Sequence, residues 1–153
     1  MQLVDFISPE RIACKVNAHS KKRALEELSS LIAHDQSTIS ATEIFDSLLS
    51  RERLGATGIG HGVALPHGRL KNTQHTTAAL VQLQNAVDFD SIDNEPVDLL
   101  FALVVPEHAT DDHLQILAML ASLFQQEPFR ERLRAAESPD EILALLQDWQ
   151  PAN

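Results

Sequence analysis

Val97-Asp98-Leu99-Leu100-Phe101-Ala102-Leu103-Val104-Val105-Pro106 is the stretch that decides the fold. Seven consecutive apolar residues, Leu99 to Val105, are too few for a membrane span and carry no helical period. A short continuous apolar run closed by proline reads as a strand buried on both faces, at the centre of a sheet covered by helices. Working outward, Ala78 to Gln84 alternates Ala79, Val81 and Leu83 within an apolar run and reads as a second strand. Ile12-Ala13-Cys14-Lys15-Val16 reads as a third, and Val63-Ala64-Leu65 as a brief one stopped by Pro66.

Helical patterns fill the intervals. Ala24, Leu25, Leu28, Leu31 and Ile32 form one stripe of a helix from about Ser20 to Ala33. A second helix opens at Ser40, where Ser40 and Glu43 have capping-box spacing, buries Ile44, Phe45, Leu48 and Leu49, and stops before Gly55. A third is expected from about Asp111 to Gln125, with Leu114, Leu117, Ala118, Ala121 and Phe124 on its inner face. A short helix follows around Phe129 to Ala136. The last begins at Ser138-Pro139-Asp140-Glu141 and ends near Trp149. The fold class is therefore α/β, a mixed central sheet with helices on both faces, in a single domain spanning residues 1–150.

Composition narrows the function. The chain has 153 residues, 44% hydrophobic and 22% charged, with a net charge of −10. That charge argues against nonspecific nucleic-acid binding, which depends on cations that neutralise phosphates. Met1-Gln2-Leu3-Val4-Asp5-Phe6 has no signal-peptide character and no apolar run is long enough to insert in a membrane, so the expected location is the cytoplasm. One cysteine, Cys14, allows no internal disulfide and no cysteine metal cluster.

All five glycines lie between Gly55 and Gly68. Glycine permits backbone conformations and close approaches that a Cβ forbids, so this segment is expected to build one special loop. It carries Arg51, Arg53, Arg69 and Lys71 around a single acid, Glu52, a cationic island in an acidic chain. Solvated arginines would produce the same count; the alternative reading is a site for a small anion. The segment ends in Leu65-Pro66-His67-Gly68-Arg69, which presents His67 between a residue that fixes the backbone and one that frees it.

Familiar sites are missing. Gly58-Ile59-Gly60-His61-Gly62 lacks the third glycine of a dinucleotide fingerprint, and there is no P-loop, nucleophile elbow or His-Glu-x-x-His pair. Asp88, Asp90 and Asp93 read as a solvated acidic turn rather than a calcium loop. Among seven histidines, His19, His34 and His75 read as surface residues, and no spacing favours zinc. His113 is placed in the first turn of the helix opening at Thr110-Asp111-Asp112. There it is either a capping-region residue in water or a neutral imidazole able to donate a directed hydrogen bond. An imidazole nucleophile, nearby arginines and a second histidine fit phosphoryl transfer onto histidine, where position and charge do most of the work.

Arg51-Glu52-Arg53-Leu54-Gly55-Ala56-Thr57-Gly58-Ile59-Gly60 with Val63-Ala64-Leu65-Pro66-His67-Gly68-Arg69 resembles the EIIA domain of the mannitol/fructose type in the bacterial phosphotransferase system. The segments 20–26, 89–103 and 133–136 resemble the same family, nearest its nitrogen-regulatory branch. The resemblance implies that His67 is phosphorylated, that Arg51 and His113 support the phosphoryl group, and that Thr57, Gly58 and Gly68 shape its pocket. It implies a phosphoryl group drawn from phosphoenolpyruvate through a first enzyme and an HPr-like phosphocarrier, with no cofactor. It also implies a switch that binds regulatory targets such as potassium-uptake components; sugar-uptake relatives instead serve an EIIB domain. His61 and Ala56 depart from the usual Asn or small residue and Ser; His61 can tune the pocket or be mistaken for a second acceptor, and His67 is preferred because Pro66 and Gly68 fix its presentation. A protein-binding module with an inert loop and a metal-dependent hydrolase are the competing classes.

Overall fold

The computed structural model describes residues 2–109 and 112–149. Its elements are β1 (Ile12–Val16), α1 (Lys21–Ala33), α2 (Ala41–Leu54), β2 (Gly58–Gly60), β3 (Val63–Ala64) and β4 (His67–Leu70), then β5 (Thr77–Val87), β6 (Val97–Pro106), α3 (Asp112–Phe124), α4 (Glu127–Ala135) and α5 (Pro139–Asp148). Six strands form one mixed sheet in the order β1-β5-β6-β3-β2, with β4 beside β3 on the same edge of β6. β1 runs parallel to β5, β5 antiparallel to β6, and both β3 and β4 parallel to β6. The apolar run of β6 is buried along nearly its whole length, as a central strand between two helical layers must be.

The two faces of the sheet hold separate cores. One packs Leu25, Leu28, Ile32, Ile44 and Leu48 of α1 and α2 against Val81, Leu100, Ala102 and Val104. The other packs Ile116, Leu120, Leu133 and Ile142 of α3–α5 against Leu80, Phe101, Leu103 and Val105. Alternate residues of β6 thus feed opposite cores, the period-2 consequence of the pleat. Caps fix the helix starts: Ser20, Ser40 and Ser138 each accept the backbone N–H three residues on, and Ser40 with Glu43 completes the capping box.

Three expectations need correction. The glycine segment is not one loop, because Gly58–Gly60 and His67–Leu70 are strands. Glycine lowers strand propensity, and pairing with β3 and β6 overrides it here. β5 continues to Val87, beyond the expected Gln84. In α3 the inner face is Ile116, Leu120, Leu123 and Phe124, while Leu114 is 58% exposed and Ala118 is exposed. That helix is apolar on most of its circumference, so spacing alone permits several stripes, and the sheet selects one. The expected helix opening at Thr110 and Asp111 lies outside the described residues.

Candidate functional site

β4 is where the fold meets the chemistry. Its alternation is set by Gly68, where a Cβ would stand 2.2 Å from Ser47 Oγ and 3.1 Å from the Ser47 backbone. Only glycine lets α2 press this closely on the strand, and the Ser47 hydroxyl donates to the Arg69 carbonyl at 2.8 Å. Since Gly68 faces α2, His67 and Arg69 face the other way, toward α3. Their register partners Leu103 and Val105 belong to the α3 side of the core.

A cavity of about 320 Å³ opens there. His67, Gly68 and Arg69 form one wall, Ser47, Ser50, Arg51 and Leu54 of α2 a second, and His113 and Leu117 of α3 a third, over Leu103 and Val105. Arg51 sits in the last turn of α2, where its Nη1 donates to the carbonyl of Gly55 at 2.8 Å. The apolar floor and two guanidinium groups make a site for a compact anion held next to an imidazole.

His67 is half-buried, and its Nδ1 lies 2.8 Å from the Leu65 carbonyl. A carbonyl only accepts, so Nδ1 carries the proton and Nε2 of the neutral ring keeps its lone pair. Burial pushes the imidazole below the ordinary histidine pKa. The Leu65 carbonyl works the other way, and the positive charge of Arg51 pushes it further down. The ring is therefore mostly neutral at pH 7, with the lone pair of Nε2 free.

Behind this wall runs a polar chain. The Glu52 side chain, 2% exposed, is bonded to Lys21 Nζ at 2.9 Å. It accepts Thr57 N at 2.9 Å and Thr57 Oγ1 at 2.5 Å. Leu65 N then donates to the Thr57 carbonyl at 3.0 Å, and the Leu65 carbonyl holds His67. Thr57 thus reaches His67 through one intervening residue and does not line the cavity. Gly58 does not line it either: a Cβ there would stand 2.2 Å from Ser91 Oγ, so the residue lets the 91–94 turn pack on β2.

His61 is elsewhere. It occupies the β2–β3 turn with φ +57°, exposed, its N–H donating to Asp93 at 3.0 Å and its carbonyl accepting from Arg134. The structure brings His67, Arg51, His113 and Gly68 together and leaves Thr57, Gly58 and His61 outside the cavity. Arg69 was legible only as one cation of the island. With 67–70 read as a strand, period-2 spacing would have put it beside His67. Its Nη1 donates to the Glu107 carbonyl at 3.0 Å and its Nη2 lies 3.3 Å from His113 Nε2.

Comparison with known proteins bears on this geometry. Residues 5–149 match the family model described as "Phosphoenolpyruvate-dependent sugar phosphotransferase system, EIIA 2". The chain is 40% identical over 150 residues to a nitrogen regulatory protein of Pseudomonas aeruginosa, covering 98% of this chain and 97% of that one. It is 42% identical over 149 residues to one from Escherichia coli K12, covering 97% and 91%. The crystal structure of nitrogen regulatory protein IIA-Ntr from Neisseria meningitidis superposes with a TM-score of 0.88 at 39% identity, covering 93% of this chain and 97% of that one.

Proposed function

Because the chain belongs to the EIIA 2 family of the phosphoenolpyruvate-dependent sugar phosphotransferase system, we propose that His67 Nε2 is its phosphoryl acceptor. The observation that carries this reading is the Nδ1 bond to Leu65, which leaves an unprotonated Nε2 in a cavity with Arg51, Arg69 and His113. The donor is the phosphohistidine of an HPr-like phosphocarrier. The Nε2 lone pair forms the new N–P bond as the donor's N–P bond breaks, and the electron pair of that bond returns to the donor's ring. His67 needs to lose no proton. Its ring gains positive charge that the Leu65 carbonyl stabilises through Nδ1–H. Arg51 neutralises charge on the phosphoryl oxygens, and His113 stands on the opposite wall.

The phosphorylated and free forms are the two states of a regulatory switch whose binding to target proteins, potassium-uptake components among them, follows the state of His67. The names of the relatives, nitrogen regulatory proteins matched over almost their full length, favour this over a sugar-uptake role. The test is incubation with phosphoenolpyruvate, the first enzyme of the system and an HPr-type carrier, followed by intact mass and site mapping. An acid-labile phosphoryl group on His67 is expected. No mass gain with a proven donor would refute the carrier role, and efficient onward transfer to a fructose- or mannitol-type EIIB would favour sugar uptake.

A further inference from the structure

We infer that Arg69 is a second guanidinium ligand of the phosphoryl group and gives up its bond to His113 when that group arrives. The inference rests on His67 being the acceptor. His67 and Arg69 are two residues apart on the same face of β4, roughly 6.6 Å along the strand. Both line the cavity, with Gly68 between them turned toward α2.

The two arginines are arranged alike. Arg51 ties Nη1 to the Gly55 carbonyl and Arg69 ties Nη1 to the Glu107 carbonyl, so each fork is tethered by one arm to backbone. The second arm of Arg69 contacts the ring of His113, Nη2 to Nε2 at 3.3 Å. An arginine N–H only donates, so Nε2 accepts and the proton of neutral His113 sits on Nδ1. Without a phosphoryl group, then, His113 offers no N–H from Nε2 to the cavity. A phosphoryl oxygen is a charged acceptor, and hydrogen bonds to such acceptors are about twice as strong as those to neutral ones. Arg69, exposed and able to pivot about its Glu107 tether, exchanges the imidazole for the phosphoryl oxygen. His113 Nε2 is then released, and the ring's one proton moves from Nδ1 to Nε2 by exchange with solvent, so that the neutral ring donates to the phosphoryl group itself. Phosphorylation of β4 is in this way read out at α3 without any backbone displacement.

The test compares wild type, Arg69→Gln and Arg69→Lys, equilibrated with a fixed ratio of phosphorylated to free HPr-type carrier. The occupancy of His67 is measured by mass, and His113 is followed by ¹⁵N NMR of both forms. Arg69→Gln is expected to lower the equilibrium constant roughly tenfold, the worth of one charge-assisted hydrogen bond, and Arg69→Lys by less. In wild type, His113 should change from an Nδ1-protonated tautomer with an acceptor Nε2 to a ring protonated at Nε2 upon phosphorylation. Equal occupancy in all three proteins, or an Arg69–His113 bond that persists in the phosphorylated form, would overturn the inference while leaving the acceptor in place. Failure of wild type itself to take a phosphoryl group would instead remove the reading on which it rests.

Discussion

His61 and His67 stand six residues apart in one glycine-rich segment, and the fold treats them in opposite ways. His61 is an exposed turn residue in the left-handed region whose backbone, not ring, makes the contacts. His67 opens a strand, half-buried, with one ring nitrogen committed to a carbonyl and the other left in a cavity beside two guanidinium groups. The glycines divide the same way. Gly58 admits the 91–94 turn and Gly62, at φ +76°, lies against Arg134 and Asp98, so the first half of the segment is packing. Gly68 brings α2, and with it Arg51, onto the wall of the site. Glycine density marks close approach; only the partners of each glycine tell whether the approach serves chemistry.

The largest test of this contrast is deletion of each ring. His67→Ala should abolish phosphorylation with the far-UV spectrum and melting curve retained, whereas His61→Ala should leave the phosphorylated fraction unchanged. Loss of phosphorylation in His61→Ala would erase the distinction. Next is the hidden support between the halves. Glu52→Ala leaves the Thr57 N–H and Lys21 without their buried partner and should cost about 3 kcal/mol in urea unfolding. It should also slow transfer in the molecules that remain folded, since the Thr57–Leu65 link to His67 loosens.

The glycines themselves sharpen the comparison further. Gly58→Ala and Gly68→Ala should each destabilise by roughly 1–3 kcal/mol, because in both a Cβ meets atoms that must shift. Only Gly68→Ala should also reduce the transfer rate per folded molecule. Acidification is a milder probe. The neutral ring is the reactive form and burial lowers its pKa, so protonation begins below the ordinary histidine range. Acceptance of phosphoryl, measured with donor in excess, should change by less than about twofold from pH 8 to 6.5 and fall only below that. The smallest effect is His61→Asn, which suits φ +57° better and should stabilise by roughly 0.5 kcal/mol in thermal unfolding, with no change in phosphorylation.

The central strand, both α1 and α2, the Ser40 and Ser138 caps and the mixed sheet were legible because periodicity and capping are local signals. The inner face of α3 was not, since its apolar residues surround the helix and only contact with β6 chooses among them. β2 and β4 were hidden because their order comes from pairing rather than propensity. At the site, the Pro66-His67-Gly68 presentation and two arginines of the cationic island, Arg51 and Arg69, lie in the wall of one cavity. The burial of Glu52 and the role of Thr57 behind that wall depend on a carboxylate meeting Lys21 from another helix, which no spacing along the chain reveals.

The account turns on one atom, Nε2 of His67. Its most direct test is long-range ¹H–¹⁵N and ³¹P correlation on ¹⁵N-labelled protein phosphorylated by an HPr-type carrier. The phosphorus should couple to Nε2 of His67, with Nδ1 still protonated and bonded to the Leu65 carbonyl. Coupling to Nδ1 of His67, or to a nitrogen of His61 or His113, would contradict it.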